Sequence, residues 1–258
     1  MRITPAVAGF IILSSLDAGA ARFSSARVTR AINDVRALLA GGASRPASEG
    51  TTLNRSDRLL TGQRSRAELT FPDESIIRLG QNTVFSFLAG RREVKLDAGT
   101  LLLQQPKWRG RTEIRTAAVS AAISGTAVVI ESNPDHGKRG IEKLLVLEGG
   151  NLRFSLNAAP QKWMRLRPGE MVVLPSDATE LPRKLAFDIA QLKKTSGLIN
   201  GGFAPLPDIG NIDQAAAAQD ADKRRGSLLE VNLALYNRKP QFPLLNLLGR
   251  HDVQEVRN

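Results

Sequence analysis

From Arg64 to Leu174 the chain alternates short apolar and polar runs, and five times the run breaks in nearly one form. A large apolar residue leads into a tight polar or glycine turn, and another large apolar residue follows. The breaks are Phe71-Pro72-Asp73-Glu74-Ser75-Ile76, Leu96-Asp97-Ala98-Gly99-Thr100-Leu101, Ile123-Ser124-Gly125-Thr126-Ala127-Val128, Leu147-Glu148-Gly149-Gly150-Asn151-Leu152 and Leu166-Arg167-Pro168-Gly169-Glu170-Met171. Glycine supplies the positive φ such turns often need, and the flanking apolar residues re-enter one core. Short strands about ten residues apart imply a barrel, sandwich or solenoid. No long helical pattern intervenes, which argues against a parallel α/β sheet. The expected fold is all-β: a twisted, β-solenoid-like or open β unit with a short C-terminal helix and a largely irregular tail.

At 258 residues and 42% hydrophobic, the chain has material for one core plus appendages. The net charge of +11 favours anionic partners, although the arginines are scattered rather than clustered. There is no cysteine, so a disulfide framework, a thiolate metal site and a cysteine nucleophile are all excluded.

Residues 1–20 have the form of a signal peptide. Arg2 precedes the apolar run Pro5–Leu16, and Ala18-Gly19-Ala20 offers a small-x-small cleavage site. The alternative is a buried N-terminal strand or helix. The run is shorter than the roughly 20 residues that span a bilayer. Export to the periplasm or medium is the expectation, with a frayed terminus over 21–27.

Val28–Leu39 fits either a helical face or a strand. Gly41–Asn54 reads as loop. From Arg64 the period is two, with Ala67, Leu69 and Phe71 facing one way. Gln104–Arg111 and Asn133–Gly140 read as loops. Two strands are expected on either side of Gly125, of Gly149-Gly150 and of Pro168-Gly169. The β domain is therefore set at 28–182. A short amphipathic helix over 183–198, carrying Leu185, Ile189 and Leu192 and ending at Gly197, would cap it. Residues 199–258 read as linker followed by a low-complexity or partly disordered tail, dispensable for folding.

Sites of chemistry are sparse. No phosphate loop, dinucleotide fingerprint or metalloprotease spacing is present. His136 lies in a turn and His251 in the tail, and neither neighbours a nucleophile elbow. The turn acids Asp73, Glu74, Asp97, Glu148 and Glu170 read as solvated or bonded to nearby main-chain N–H groups rather than as a catalytic pair. Trp163 alternates with Met164, and core packing is its expected role. Trp108, within the basic loop Lys107–Arg111, is the expected exposed aromatic and a candidate contact for an anion or a partner. The sequon Asn54-Arg55-Ser56 carries little meaning without a known host. No catalytic, cofactor-binding or metal-binding residue is assigned, and no cofactor is expected.

In order along the chain, several segments resemble the FecR-domain family. Arg66-Ala67-Glu68-Leu69 to Ser75, with Arg78-Leu79-Gly80-Gln81-Asn82, is similar to its "R-x-E-L…D-G-S…R-L-x-x-N" opening. Gly125-Thr126 before Val128-Val129-Ile130 resembles its "G-T-x-F-x-V" element, Val146–Gly149 its "V-x-E-G", and Leu166–Glu170 its "L-x-x-G-[QE]". The resemblance implies an extracytoplasmic β unit of iron-siderophore signalling regulators. In those regulators a cytoplasmic anti-sigma segment and a membrane helix come first. Nothing here precedes the apolar run to hold a sigma factor, so the expectation is a stand-alone exported FecR-domain protein.

The expected function is a non-enzymatic binding module, with a role in cell-surface signalling open. Its partner would be an envelope or outer-membrane protein or an anionic cell-surface polymer, with nucleic acid disfavoured. The alternative is a β-solenoid enzyme or binding protein acting on cell-surface polysaccharide. The stretch from Arg64 to Leu174 is short for the many coils such an enzyme needs.

Overall fold

The computed structural model describes residues 23–225, apart from 55, 89, 135–139 and 151. The expected signal peptide, both histidines and the tail from 226 lie outside the described residues.

Among the described residues, seventeen strands form two open, mostly antiparallel sheets that share one strand. Sheet A runs β4 (Thr52–Leu53), β1 (Ala26–Ile32), β6 (Arg66–Thr70), β7 (Ile76–Leu79), β9 (Glu93–Gln104), β12 (Ala127–Asn133), β13 (Ile141–Glu148), β16 (Glu170–Pro175) and β17 (Leu185–Ala186). Sheet B runs β3 (Ser44–Pro46), β2 (Val35–Leu38), β5 (Arg58–Thr61), β8 (Val84–Leu88), β9, β10 (Thr112–Arg115), β11 (Val119–Ile123), β14 (Leu152–Leu156) and β15 (Ala159–Leu166). The β9–β10 pair is parallel.

Four of the five repeated breaks fall where the chain passes from one sheet to the other. The exception is 71–76, a hairpin within sheet A. At Gly99 the expected turn is instead a bend inside β9, whose first half pairs with β8 in sheet B and whose second half pairs with β7 and β12 in sheet A. Gly99 sits at φ +92°, and a Cβ there would lie 2.5 Å from the Thr83 Cα. Only glycine lets the strand fold so closely over its neighbour.

The sheets enclose a core built from alternate residues, among them Leu69, Phe85, Leu101, Leu103, Val128, Ile130, Leu144, Val146 and Phe154. A second apolar layer lies on the outer face of sheet A. There Leu102, Val129, Leu145 and Leu147 pack under helices α1 (Ile189–Thr195), α2 (Gly197–Asn200) and α3 (Ile209–Arg224). The runs Leu101-Leu102-Leu103, Ala127–Ile130 and Leu144–Leu147 are continuous because these strands are buried on both faces.

Several sequence expectations change. Val28–Leu39 is strand, as β1 and β2, turning at Asn33 with φ 62°. The expected loop over 41–54 holds β3 and β4. Within the expected frayed terminus, Phe23 is fully buried and stacks on Phe71 at 4.2 Å between ring centroids, and β1 begins at Ala26. Leu185 is in β17 rather than in the helix. Asp188 caps α1 by accepting from the Gln191 N–H, and Ser196 ends it, so Gly197 opens the next helix.

The segment after 199 is not a free linker as far as Arg225. Leu206, Ile212 and Ala216 are buried on sheet A. The Gln219 side chain donates to the Phe187 carbonyl at 2.7 Å and accepts from the Ile189 N–H at 3.0 Å. Alanines allow the helix to approach closely, and one glutamine satisfies two buried main-chain groups.

Candidate binding face

The helices cover sheet A, whereas among the described residues no helix covers the outer face of sheet B. Strand register sets the residues on that face in two cross-strand rows. One is Glu93, Glu113, Ala122, Arg153 and Arg165; the other is Lys95, Arg115, Ser120, Ser155 and Trp163. The small residues Ser120, Ala122 and Ser155 lower the middle of the face into an open trough of about 820 Å³, walled by Arg111 and Arg115 on one side and by Arg153 and Trp163 on the other.

Trp163 is 57% exposed, and the Arg153 guanidinium lies over its ring at 3.8 Å. The expected core role for Trp163 is therefore reversed: Met164 and Leu166 face inward. Counting the period of two back from buried Leu166 puts Met164 inside and Trp163 outside, so the signal was present in the alternation. Trp108 is 96% exposed at φ 67°, as its loop composition suggested. Gln105 closes that loop by donating to the Gly110 carbonyl. Arg109 pairs with exposed Glu74 at 2.8 Å, and Arg111 at the loop end lines the trough.

The turn acids are dispersed, each with its own partner. Asp73 is buried, accepts from the Ser75 N–H and hydroxyl, and pairs with Arg92. Asp97 pairs with Lys95, and Glu170 accepts from the Arg167 N–H and Lys184. Glu148 is 4% exposed. Burial, helped by nearby Asp208, pushes its pKa up to about 7, against the pull of Lys107 and the Ala127 N–H. Among the described residues no group of three His, Cys, Asp or Glu side chains could hold a metal ion, and no helix is long and apolar enough to cross a membrane.

Sequence reading missed a buried clasp between the sheets and the helical layer. Arg78 is 1% exposed. Its Nε donates to Glu68 at 2.8 Å and its Nη1 to the Leu198 and Ile199 carbonyls at 3.0 and 3.3 Å. Its Nη2 donates to the Ala204 carbonyl, and the guanidinium lies over Phe203 at 4.6 Å. Burial lowers the Arg78 pKa, and Glu68 offsets part of that. Both residues belong to the motif "R-x-E-L…R-L", so in this chain the motif serves packing.

Among the described residues the two-sheet unit thus has one helix-covered face and one basic face that no helix covers. Residues 57–150 match the family model described as FecR protein. The match starts at Asp57, although β1 and β2 pair with β6 and β5 inside the same sheets. Two crystal structures of a proposed anti-sigma factor from Parabacteroides distasonis ATCC 8503, at 1.65 and 2.50 Å resolution, are similar at 15% identity, with TM-scores of 0.44 and 0.43. They cover 53% and 54% of this chain, and this chain spans 62% and 64% of theirs. No curated protein matches.

Proposed function

We propose that this is an exported, non-enzymatic FecR-domain protein that binds an envelope protein or an anionic envelope polymer, in the service of cell-surface signalling. One observation carries the reading: among the described residues the helical layer covers sheet A, while no helix covers the basic face of sheet B, which is bordered by the edge strand β15. Six of the eight residues of β15 are at least partly exposed, and among the described residues its only strand partner is β14. An uncovered edge beside a charged face is a surface that must be managed or used.

A photo-crosslinking residue at Gln161 of the full chain, expressed in a bacterium, tests this. Crosslinks should form from Gln161 and be absent from the control position Ala217 on α3. Equal labelling from both positions, or none from either, would remove the binding-face assignment. Export is checked separately: the mature protein should begin near Ala21.

A further inference from the structure

We propose that the trough on sheet B is a site for an acidic polysaccharide, a chain of uronate-type sugars. Arg153 and Arg165 would take its carboxylates, and Trp163 would stack on a sugar ring. The proposal rests on the binding-face reading above and names the ligand class for it.

Charge is the first argument. Arg111, Arg115 and Arg153 line the trough, and Glu113 is its only lining carboxylate. Arg115 is already held by Glu93 at 2.8 Å and by Glu113, and Arg111 leans on Glu113 at 3.7 Å. Arg153 and Arg165 stand directly opposite each other on β14 and β15. Neither forms an ion pair with a carboxylate of the described residues. Like charges directly across a strand pair destabilise a sheet unless an anion joins them. The arrangement therefore suits a ligand that brings negative charge to that point.

The rest of the lining selects among anions. The strands of the floor, β11 and β14, are paired on both sides, so their main-chain groups are committed to the sheet. A peptide cannot be read there by strand addition. What the floor offers is side-chain hydroxyl groups, from Ser124, Ser155 and Ser120, the last already donating to Asn157 at 2.9 Å. These suit a hydroxyl-rich ligand. Trp163, with Arg153 on its ring and more than half its surface free, gives the apolar platform on which a sugar ring stacks. The volume falls within the range of small-ligand sites, and the open ends admit a polymer.

The test uses the full chain in a Trp108→Phe background, so that Trp163 reports alone. Titration with oligogalacturonate should shift Trp163 emission, and a neutral glucan of equal length should not. The double variant Arg153→Gln/Arg165→Gln and the variant Trp163→Ala, followed by calorimetry, should each weaken binding about tenfold or more. Both alter exposed side chains and should still melt cooperatively, with only a small shift in melting temperature. If poly-L-glutamate binds as tightly as oligogalacturonate and Trp163→Ala binds normally, the face is only electrostatic and the polysaccharide assignment is overturned. If oligogalacturonate does not bind but Gln161 crosslinks to a protein, the binding face stands and the ligand class falls. Absence of both removes the two together.

Discussion

A Cβ on Gly149 would sit 2.6 Å from the carbonyl oxygen of Gly125. These two of the four corners at which the chain changes sheets are stacked on each other with no room between them. Gly149 also lies at φ +85°, where an L side chain is strained. Gly149→Val should cost about 1–3 kcal/mol in urea denaturation. Gly42→Ala is the control. It shares a φ of +85° but meets nothing within 4 Å, so only the backbone strain remains and the loss should be smaller. Equal losses at both positions would mean that the corners do not touch.

Arg78 should be the most sensitive charge in the molecule. Arg78→Ala takes from Glu68 its cationic partner, leaving it the Thr29 hydroxyl, and removes the Arg78 donors from the carbonyls of Leu198, Ile199 and Ala204. Breaking such a buried pair typically costs about 3–5 kcal/mol. Limited proteolysis gives a local readout, since cleavage between 200 and 208 should accelerate. A variant as resistant as the parent would show that the clasp does not hold the helical layer.

Glu148 gives the stability a pH dependence of definite sign. Its folded pKa of about 7 lies above the ordinary value of 4.5. Between those two values the folded protein holds a proton that the unfolded chain has released. Stability is therefore full below about pH 4.5 and falls as pH rises toward 7, by up to roughly 3 kcal/mol. Glu148→Gln should flatten this slope between pH 5 and 8. Burial raises the Glu142 pKa as well, so a residual slope should persist. A parent protein whose stability rises over that interval would contradict the assignment.

Truncation separates the docked helices from the residues beyond them. A chain ending at Leu198 loses Leu206, Ile212, Ala216 and the Gln219 bridge, and it uncovers apolar residues of sheet A such as Val129 and Leu147. It should aggregate or melt without cooperativity. A chain ending at Arg225 keeps the layer and should melt as the parent does. Soluble, cooperative behaviour of the shorter chain would show that 199–225 is dispensable after all.

The sequence by itself determined the β class, the corner positions and the motif order, because these are local. A period of two, a glycine at a corner and an apolar residue on either side need no distant partner to be recognised. It also contained the outward direction of Trp163, through the alternation that ends at Leu166. The tertiary structure decided what depends on distant pairing. Gly99 became a bend rather than a turn because β9 had partners in both sheets. The triple leucine 101–103 became a strand with two buried faces because helices settled on one of them. The alanine-rich segment 215–218 became part of a packed layer because Gln219 met two orphaned main-chain groups about 30 residues away. Arg78 became a buried clasp because carbonyls over 100 residues distant came to it. Such partners leave no mark in the local pattern, since the energy of the contact exists only once both segments are in place.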